Sequence, residues 1–462
     1  MSTSSNPARI AVIGGGITGL TAAWHLHRAG LAPVVFEESG RPGGVVGAVR
    51  SGDWLHEIGP NSVLEGSPEV AAFIDDLGLG ARRLYAAPEA KQRYIVRDGR
   101  LVAMPTSPLS FVGTPLFSLR AKLRLLGEPW RRRSAPEAEE TVADFVVRRL
   151  GPEFLDYAIN PFVAGVYAGN PRLLAVRHAF PKLHALEQEH GSLIRGALAR
   201  RNTSGGPKGR IFSFPEGLGE IPAALAARLS AAVRLSHRVV SVQRVDRGWR
   251  LEIVRGNAVE SADFDLVVCA LPADALADLR LAGFAGADRL AVLREIAHPP
   301  VVSVFSGYRR EQVAHPLGGF GVLVPEVEQG RVLGTLFSST LFPSRAPAGH
   351  VALTSFVGGM RAPELAGRPE AELRRLVQEE LGRLLGAAGE PAYFRIQRWP
   401  RAIPQYTVGY QRFKDAMNAV EAAAPGLLLG GNCRDGISVA NCLAAGLRLA
   451  HAAQALAMAP AA

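Results

Sequence analysis

The chain has 462 residues, 48% hydrophobic and 20% charged, with a formal net charge of +10. It is too long for one ordinary domain and too apolar for global disorder, so two or three packed domains are expected. The 50 glycines and 32 prolines follow no period, which excludes a collagen-like rod.

The positive charge favours anionic partners, but apart from Arg131-Arg132-Arg133 it is dispersed along the chain. No recognition motif accompanies it, so nucleic acid is not expected as a partner. Cys269, Cys433 and Cys442 give neither a disulfide framework nor metal-site spacing, and no metal is expected. No stretch reaches about 18 uninterrupted apolar residues, and no cleavable leader is evident, so a cytoplasmic setting without a transmembrane helix is expected.

Residues 9–13 (RIAVI) read as a buried strand. Gly14, Gly16 and Gly19 follow as GxGxxG, then a helical pattern from Leu20 to about Ala29, a second strand at 33–36, and Glu37. This order points to a dinucleotide site. Gly14 permits the tight turn, Gly16 lets the backbone approach a pyrophosphate at a helix N-terminus, and Gly19 lets helix and strand pack closely. Glu37 is placed to accept from a ribose 2′-hydroxyl, with Glu38 as its neighbouring competitor. Arg41-Pro42-Gly43-Gly44 would let the chain double back beneath an extended dinucleotide, which favours FAD modestly over NAD.

Farther along, 53–60 reads as a strand, 68–78 as a helix stopped by Gly78, and 93–104 as a hairpin turning at Asp98-Gly99. From 108 to 200 the pattern is mainly helical, with arginines and aromatics interspersed, as in surface helices or a segment lying on a membrane interface. A helix follows near 215–229, a strand pair over 237–254, and a buried strand ends at Pro272. Residues 300–358 alternate with the period of strands and suggest a separate sheet. A helix is expected over 364–386. The last unit, GLLLGGNCRDGISVANCLAAGLRLA, again reads as strand, glycine-rich turn and helix. Its distance from Gly14 implies a nucleotide domain built from discontinuous segments.

The segments IGGGITGL and EESGRPGG, with RYIVRDGRLVAMP, NPFVAGVYAGNP, GFGVLVPEVEQGRVLGTLFSS, RWPRAIPQYTVGY and GGNCRDGISVANC, resemble the protoporphyrinogen oxidase family, within the flavin amine oxidase and phytoene desaturase group. The resemblance spans essentially the whole chain. It implies an α/β fold with a Rossmann-like FAD domain (1–85, 205–290 and 395–462), a mixed-sheet substrate domain (290–395) and a helical membrane-associating domain (86–204). It implies six-electron oxidation of protoporphyrinogen IX to protoporphyrin IX in haem biosynthesis, with flavin N5 accepting hydride and molecular oxygen reduced to peroxide. It also implies peripheral attachment to an anionic surface on the inner face of the cell membrane, and allows a homodimer.

By motif, Gly14, Gly16, Gly19, Glu37, Arg41 and Gly44 resemble FAD ligands. Val239 matches the backbone position near adenine, Trp399 the tryptophan beside the isoalloxazine, and Ile437, Ser438 and Val439 the flavin pyrimidine edge. Arg93 resembles the arginine that pairs with a propionate. Phe320, Leu323 and Phe356 resemble apolar walls of the macrocycle cavity, and Gly169 a backbone wall. Asn170 stands where many members have aspartate, and Arg434 and Asp435 make the final motif more polar than usual.

The residues supply no catalytic side-chain base: His178, His184 and His190 share no helix face and read as surface or structural, and Lys414 lacks a supporting motif. The alternatives are a coproporphyrinogen III oxidase, which needs more cations for four propionates, an amine or carotenoid oxidoreductase, and a flavin-binding protein without turnover.

Overall fold

A computed structural model describes residues 8–66, 68–135, 137–203 and 209–458. Strand β1 (Arg9–Ile13), helix α1 (Ile17–Arg28) and strand β2 (Ala32–Glu37) form the first βαβ unit. The helix begins three residues before the expected Leu20, because the chain is already helical immediately after the extended Gly16. A five-stranded parallel sheet runs in the order Val233–Leu235, β2, β1, Leu266–Cys269, Leu427–Leu429.

Both faces of this sheet are covered, which is why its strands are apolar at nearly every position. Successive side chains point to opposite faces. Ile10, Val12, Val35 and Val268 pack under α1 and the C-terminal helix Val439–Met458. Ala11, Ile13, Phe36 and Cys269 join the opposite core with Trp249 and Tyr410. The two helices touch at Gly446, where a Cβ would stand 2.6 Å from the Thr18 carbonyl oxygen. The sheet is assembled from segments far apart in the chain, as the repeated strand–turn–helix pattern implied.

A four-stranded sheet, in the order Ala258–Phe264, Trp249–Arg255, Arg238–Arg244, Arg280–Ala282, extends this region. The largest sheet has seven strands, in the order Tyr393–Trp399, Val301–Arg309, His350–Gly358, Gly334–Leu336, Gly321–Leu323, Arg93–Arg97, Arg100–Ala103. The hairpin at 93–103 therefore lies in this sheet, because Arg93–Ile95 pair in parallel with Gly321–Leu323. Its turn takes positive φ at Asp98 and Gly99, as the sequence implied.

Short helices dominate 108–203. Glu128 ties this region together: it pairs with buried Arg149 and accepts from Ser192 Oγ at 2.5 Å and from the Leu193 amide at 3.0 Å. The helices Pro108–Gly113 and Leu119–Leu126 leave Leu109, Val112, Leu119, Leu123 and Leu126 exposed, with Trp130 just beyond. Among the described residues, no helix is long and apolar enough to cross a membrane.

Candidate active site

The glycine turn lies at the C-terminal edge of the parallel sheet, where ligands bind in such folds. Gly14 has φ +103, and a Cβ there would meet the Ala270 carbonyl oxygen at 2.6 Å. A Cβ on Gly19 would stand 2.0 Å from the Gly14 carbonyl oxygen, so helix and turn pack backbone to backbone. Gly16 differs: a Cβ there would meet no protein atom within 4 Å. It caps α1 without any side-chain hydrogen bond, and the first turn of α1 carries no acid. Open space in front of uncapped amides is what a pyrophosphate requires, so these residues fit FAD.

Gly43 bridges Gly16, and its amide donates to the Gly15 carbonyl at 2.8 Å. Gly44 thereby lies against the turn, its would-be Cβ 3.3 Å from the Gly16 Cα. Arg41 closes this loop, donating to the Gly44 carbonyl at 2.5 Å. Glu37 accepts from the Gly15 amide at 2.7 Å and from the Ser39 amide and hydroxyl at 2.9 and 2.6 Å. Its carboxylate is thus oriented at the turn with acceptor capacity remaining. Glu38 points away, to Arg238 at 3.6 Å. The His237 amide donates to the Glu37 carbonyl at 2.9 Å and brings Val239 alongside. There the ladder shifts register, leaving Val240 without a partner residue beside Val239.

The candidate residues Ile437, Ser438 and Val439 lie at the start of the C-terminal helix. The Asn441 amide donates to Ser438 Oγ at 3.0 Å, so Ser438 caps the helix that begins at Val439, with Ile437 just outside. Asp435 accepts from the Gly431 amide at 2.9 Å and from Arg448 at 3.0 Å, while Arg434 pairs with Glu421 at 2.7 Å. These two polar departures brace the glycine turn before the helix. Asn170 has a local job as well: its Oδ1 accepts from the Arg172 amide at 2.9 Å.

Four of the candidate residues share one face of the seven-stranded sheet. Leu323 lies opposite Gly334, and Gly334 opposite Phe356, so the two apolar side chains flank a position with none. Arg93 precedes Ile95, the partner of Leu323, by two residues and therefore shares its face. Trp399 pairs with Val301, and Val301 with Gly358, two residues beyond Phe356. The Trp399 indole donates to the Ile58 carbonyl at 2.7 Å, tying this face to the first domain. Phe320 precedes the strand, with its ring centre 4.9 Å from the Arg93 guanidinium carbon.

Gly169 faces elsewhere: a Cβ there would meet Gln405 Oε1 at 2.6 Å. The glycine apposed to Leu323 is Gly165, whose Cβ would stand 2.7 Å from Leu323 Cδ2. Leu333 is also packed beside Phe356. Sequence reasoning singles out neither Gly165 nor Leu333; the one available signal is that Gly165 precedes Gly169 by a helical turn. His178 is buried, 5.9 Å from the Tyr410 ring, and lies outside the face just described. Lys414 Nζ stands 5.8 Å from the Tyr406 ring centre, and burial with the nearby Arg434 and Arg177 charges pulls its ammonium below the usual range.

Comparison with known proteins places the whole chain in a family. The family described as flavin containing amine oxidoreductase matches residues 17–454. Protoporphyrinogen oxidase 2, chloroplastic/mitochondrial, of Arabidopsis thaliana is 35% identical, over 96% of this chain and 93% of its own. Coproporphyrinogen III oxidase of Bacillus subtilis is 26% identical over 95% and 96%. A solved structure from Exiguobacterium sp. 255-15, assigned provisionally as a protoporphyrinogen oxidase, superposes with a TM-score of 0.81 at 26% identity over 98% of both chains. A glycine turn with open space before its helix, an arginine-rimmed apolar face on the other sheet, and whole-length likeness at this level lead to one conclusion: the chain is an FAD-dependent enzyme of the protoporphyrinogen oxidase family, within the flavin-containing amine oxidoreductases.

Proposed function

We propose that this enzyme oxidises protoporphyrinogen IX to protoporphyrin IX in three two-electron rounds, with molecular oxygen as the final acceptor. The observation that carries this reading is the shared sheet face: Arg93 stands at one side, Leu323 and Phe356 form the apolar floor, and Trp399 lies at the side nearest the first domain. Protoporphyrinogen IX is a broad apolar ring with two propionates, and such a ring needs an apolar wall and a cation at its rim.

Bound FAD supplies the two-electron acceptor and its reoxidation by oxygen. Gly16 and the first turn of α1 would hold the pyrophosphate, Glu37 the ribose, the backbone at Val239 the adenine, and Ile437, Ser438 and Val439 the pyrimidine edge. Arg93 pairs with a propionate and fixes the ring's lateral position. Phe320 lies against that arginine and keeps it near the wall. Leu323, Phe356 and the backbone of Gly165 exclude water from the reacting carbon. No side-chain base is needed, because the pyrrole nitrogens stabilise the charge left by hydride loss and release their protons to solvent.

The exposed apolar helices between 108 and 130, flanked by Arg120, Lys122 and Arg131, are proposed as a surface for peripheral attachment to anionic lipid. The proposed division keeps 1–85 and 205–290 in the FAD domain, starts its last segment after Trp399 rather than at 395, and assigns the 93–103 hairpin and the strand Tyr393–Trp399 to the substrate sheet. Coproporphyrinogen III, with four propionates, is the second reading, supported by the full-length Bacillus subtilis relative. Anaerobic stopped-flow mixing of the yellow holoenzyme with each porphyrinogen tests both. Faster bleaching with protoporphyrinogen IX is expected; faster bleaching with coproporphyrinogen III selects the second reading, and no bleaching with either rejects both.

A further inference from the structure

Helix Asn160–Tyr167 has two working faces. Gly165 meets Leu323 and the sheet face described above. Phe162 and Val166, one helical turn apart, instead line a separate cavity of about 680 Å³. That volume lies within the range of sites that enclose cofactor-sized ligands, about 300–1,000 Å³. None of Arg93, Phe320, Leu323 or Phe356 lines this cavity, which touches the proposed flavin edge only at Gly436–Ser438 and Asn441.

Its walls are apolar and aromatic. The Phe162 and Phe180 rings lie 5.9 Å apart, and Tyr167 meets Phe180 edge-on at 5.6 Å. Its charges are unbalanced. Arg434 is neutralised by Glu421 at 2.7 Å, and Asp435 by Arg448 at 3.0 Å. Arg177, Lys182 and Lys414 also line the cavity, and among the described residues none of them makes a side-chain hydrogen bond or ion pair. Lys414 is half-buried, while Arg177 and Lys182 are exposed at the rim. The His178 Nε2 is buried there without a hydrogen-bond partner, 3.7 Å from the Glu139 carboxylate. Lys414 has the Asp435 charge nearby, but Asp435 is shared with Arg448, and burial with the Arg434 and Arg177 charges outweighs it, an imbalance that a ligand carboxylate would relieve.

We propose that this cavity is a second binding site, specific for a flat apolar macrocycle carrying carboxylates, the chemical class of the product. Phe162, Tyr167 and Phe180 offer aromatic faces and edges to a flat conjugated ring, which meets more of them than a puckered one does. Three separated cations fit several carboxylates better than the single head of a fatty acid. The identity of the ring rests on the proposed reaction; the cavity and its charges do not. Helix Asn160–Tyr167 is then a partition, with the ring to be oxidised on the Gly165 side and the oxidised ring on the Phe162 side.

The test is equilibrium binding of protoporphyrin IX to the holoenzyme, with FAD absorbance and circular dichroism confirming that each variant is folded. Wild type is expected to bind two rings per chain. Arg93→Ala should retain the cavity site, whereas Arg177→Gln with Lys414→Gln should weaken that site at least tenfold. Phe162→Trp reports independently, since the fluorescence of the introduced indole should be quenched by a ring bound in the cavity and restored by Arg177→Gln with Lys414→Gln. One ring per chain in wild type, lost in Arg93→Ala, overturns the proposal, as does unquenched emission from the Phe162→Trp variant. Tighter binding of oleate than of protoporphyrin at the cavity reassigns it to a fatty-acyl carboxylate and overturns the macrocycle. Failure of the stopped-flow test leaves these binding outcomes readable, so the two readings fail separately.

Discussion

The Arg345 guanidinium lies 2.8 Å from the Glu57 carboxylate, with both side chains almost wholly out of water. Arg345 also donates to Ser213 Oγ at 2.7 Å and to the Phe214 carbonyl at 3.1 Å, and the Leu218 amide donates to Glu57 at 3.1 Å. One ion pair thus pins the strand Trp54–Glu57 and the segment 213–218 to Pro343–Arg345, the short helix that leads into strand His350–Gly358 of the seven-stranded sheet.

Arg345→Met would leave Glu57 buried without its cation. A loss of about 3–5 kcal/mol is expected, read as a lowered urea midpoint. Replacing both partners, as Glu57→Leu with Arg345→Met, should recover most of it. A single variant as stable as wild type would show that the pair is not a clamp.

His56 sits beside Glu57 but titrates in the opposite sense. Burial and the Arg395 charge push its pKa down to about 4, below its unfolded value of 6.5. The unfolded chain therefore takes the proton first, and stability from His56 is lost as pH falls from about 6.5 towards 4, by up to about 3 kcal/mol. Burial lifts Glu57 to about 7 despite Arg345, so its contribution is present below about pH 4.5 and lost as pH rises through 7. The difference between wild type and His56→Phe isolates the histidine. The variant's stability should fall less between about pH 7 and pH 4.5, and parallel curves would refute this.

Gly16 and Gly19 should separate cofactor binding from folding. Gly16→Ala places its methyl in open space and in a backbone conformation any residue adopts. Its melting temperature should hold while FAD affinity drops on the order of tenfold, about 1.4 kcal/mol. Gly19→Ala drives a methyl into the Gly14 carbonyl, so folded yield itself should collapse. Yellow, fully loaded Gly16→Ala protein would contradict the assignment of that space to a pyrophosphate.

Arg93→Ala should raise the apparent KM for porphyrinogen about tenfold, the value of one exposed charge-assisted contact, and leave FAD occupancy unchanged. Arg93→Lys should restore part of the loss. Unaltered kinetics would remove Arg93 from the substrate site.

Leu123→Glu with Leu126→Glu puts two charges on an exposed apolar helix face without touching a core. Cosedimentation with phosphatidylglycerol vesicles should decline several-fold while turnover of soluble substrate persists. Equal sedimentation would place any membrane contact elsewhere.

What is legible in the sequence is local. Gly14, Gly19 and Glu37 can be assigned roles because turn, packing contact and acid all lie on one βαβ unit. The Asp98-Gly99 turn is legible for the same reason. Gly165 is not, because the partner that requires a glycine there, Leu323, is distant in sequence and arrives only with the sheet. Leu333 beside Phe356 and Lys414 above Tyr406 are hidden similarly: a single leucine or lysine carries no positional signal until the chain has packed around it. The hairpin 93–103 declares itself as a hairpin, but its partner strand, Gly321–Leu323, lies beyond any local pattern.

The parallel sheet carries a consequence for biogenesis. Strand β1 is made long before its sheet is complete, because Leu427–Leu429 must still dock on Leu266–Cys269. At about 5–20 residues per second, roughly 20 to 80 seconds separate the two on the ribosome. For roughly the last 8 to 32 seconds of that interval the strand Leu266–Cys269, already made, presents an unpaired, wholly apolar edge, the kind of edge that recruits other chains. The glycine turn is in place early, but the helix proposed to complete the cofactor site emerges only after the last strand of the sheet. On that assignment FAD capture would be a late event, and the nascent chain would need shelter more than flavin until then.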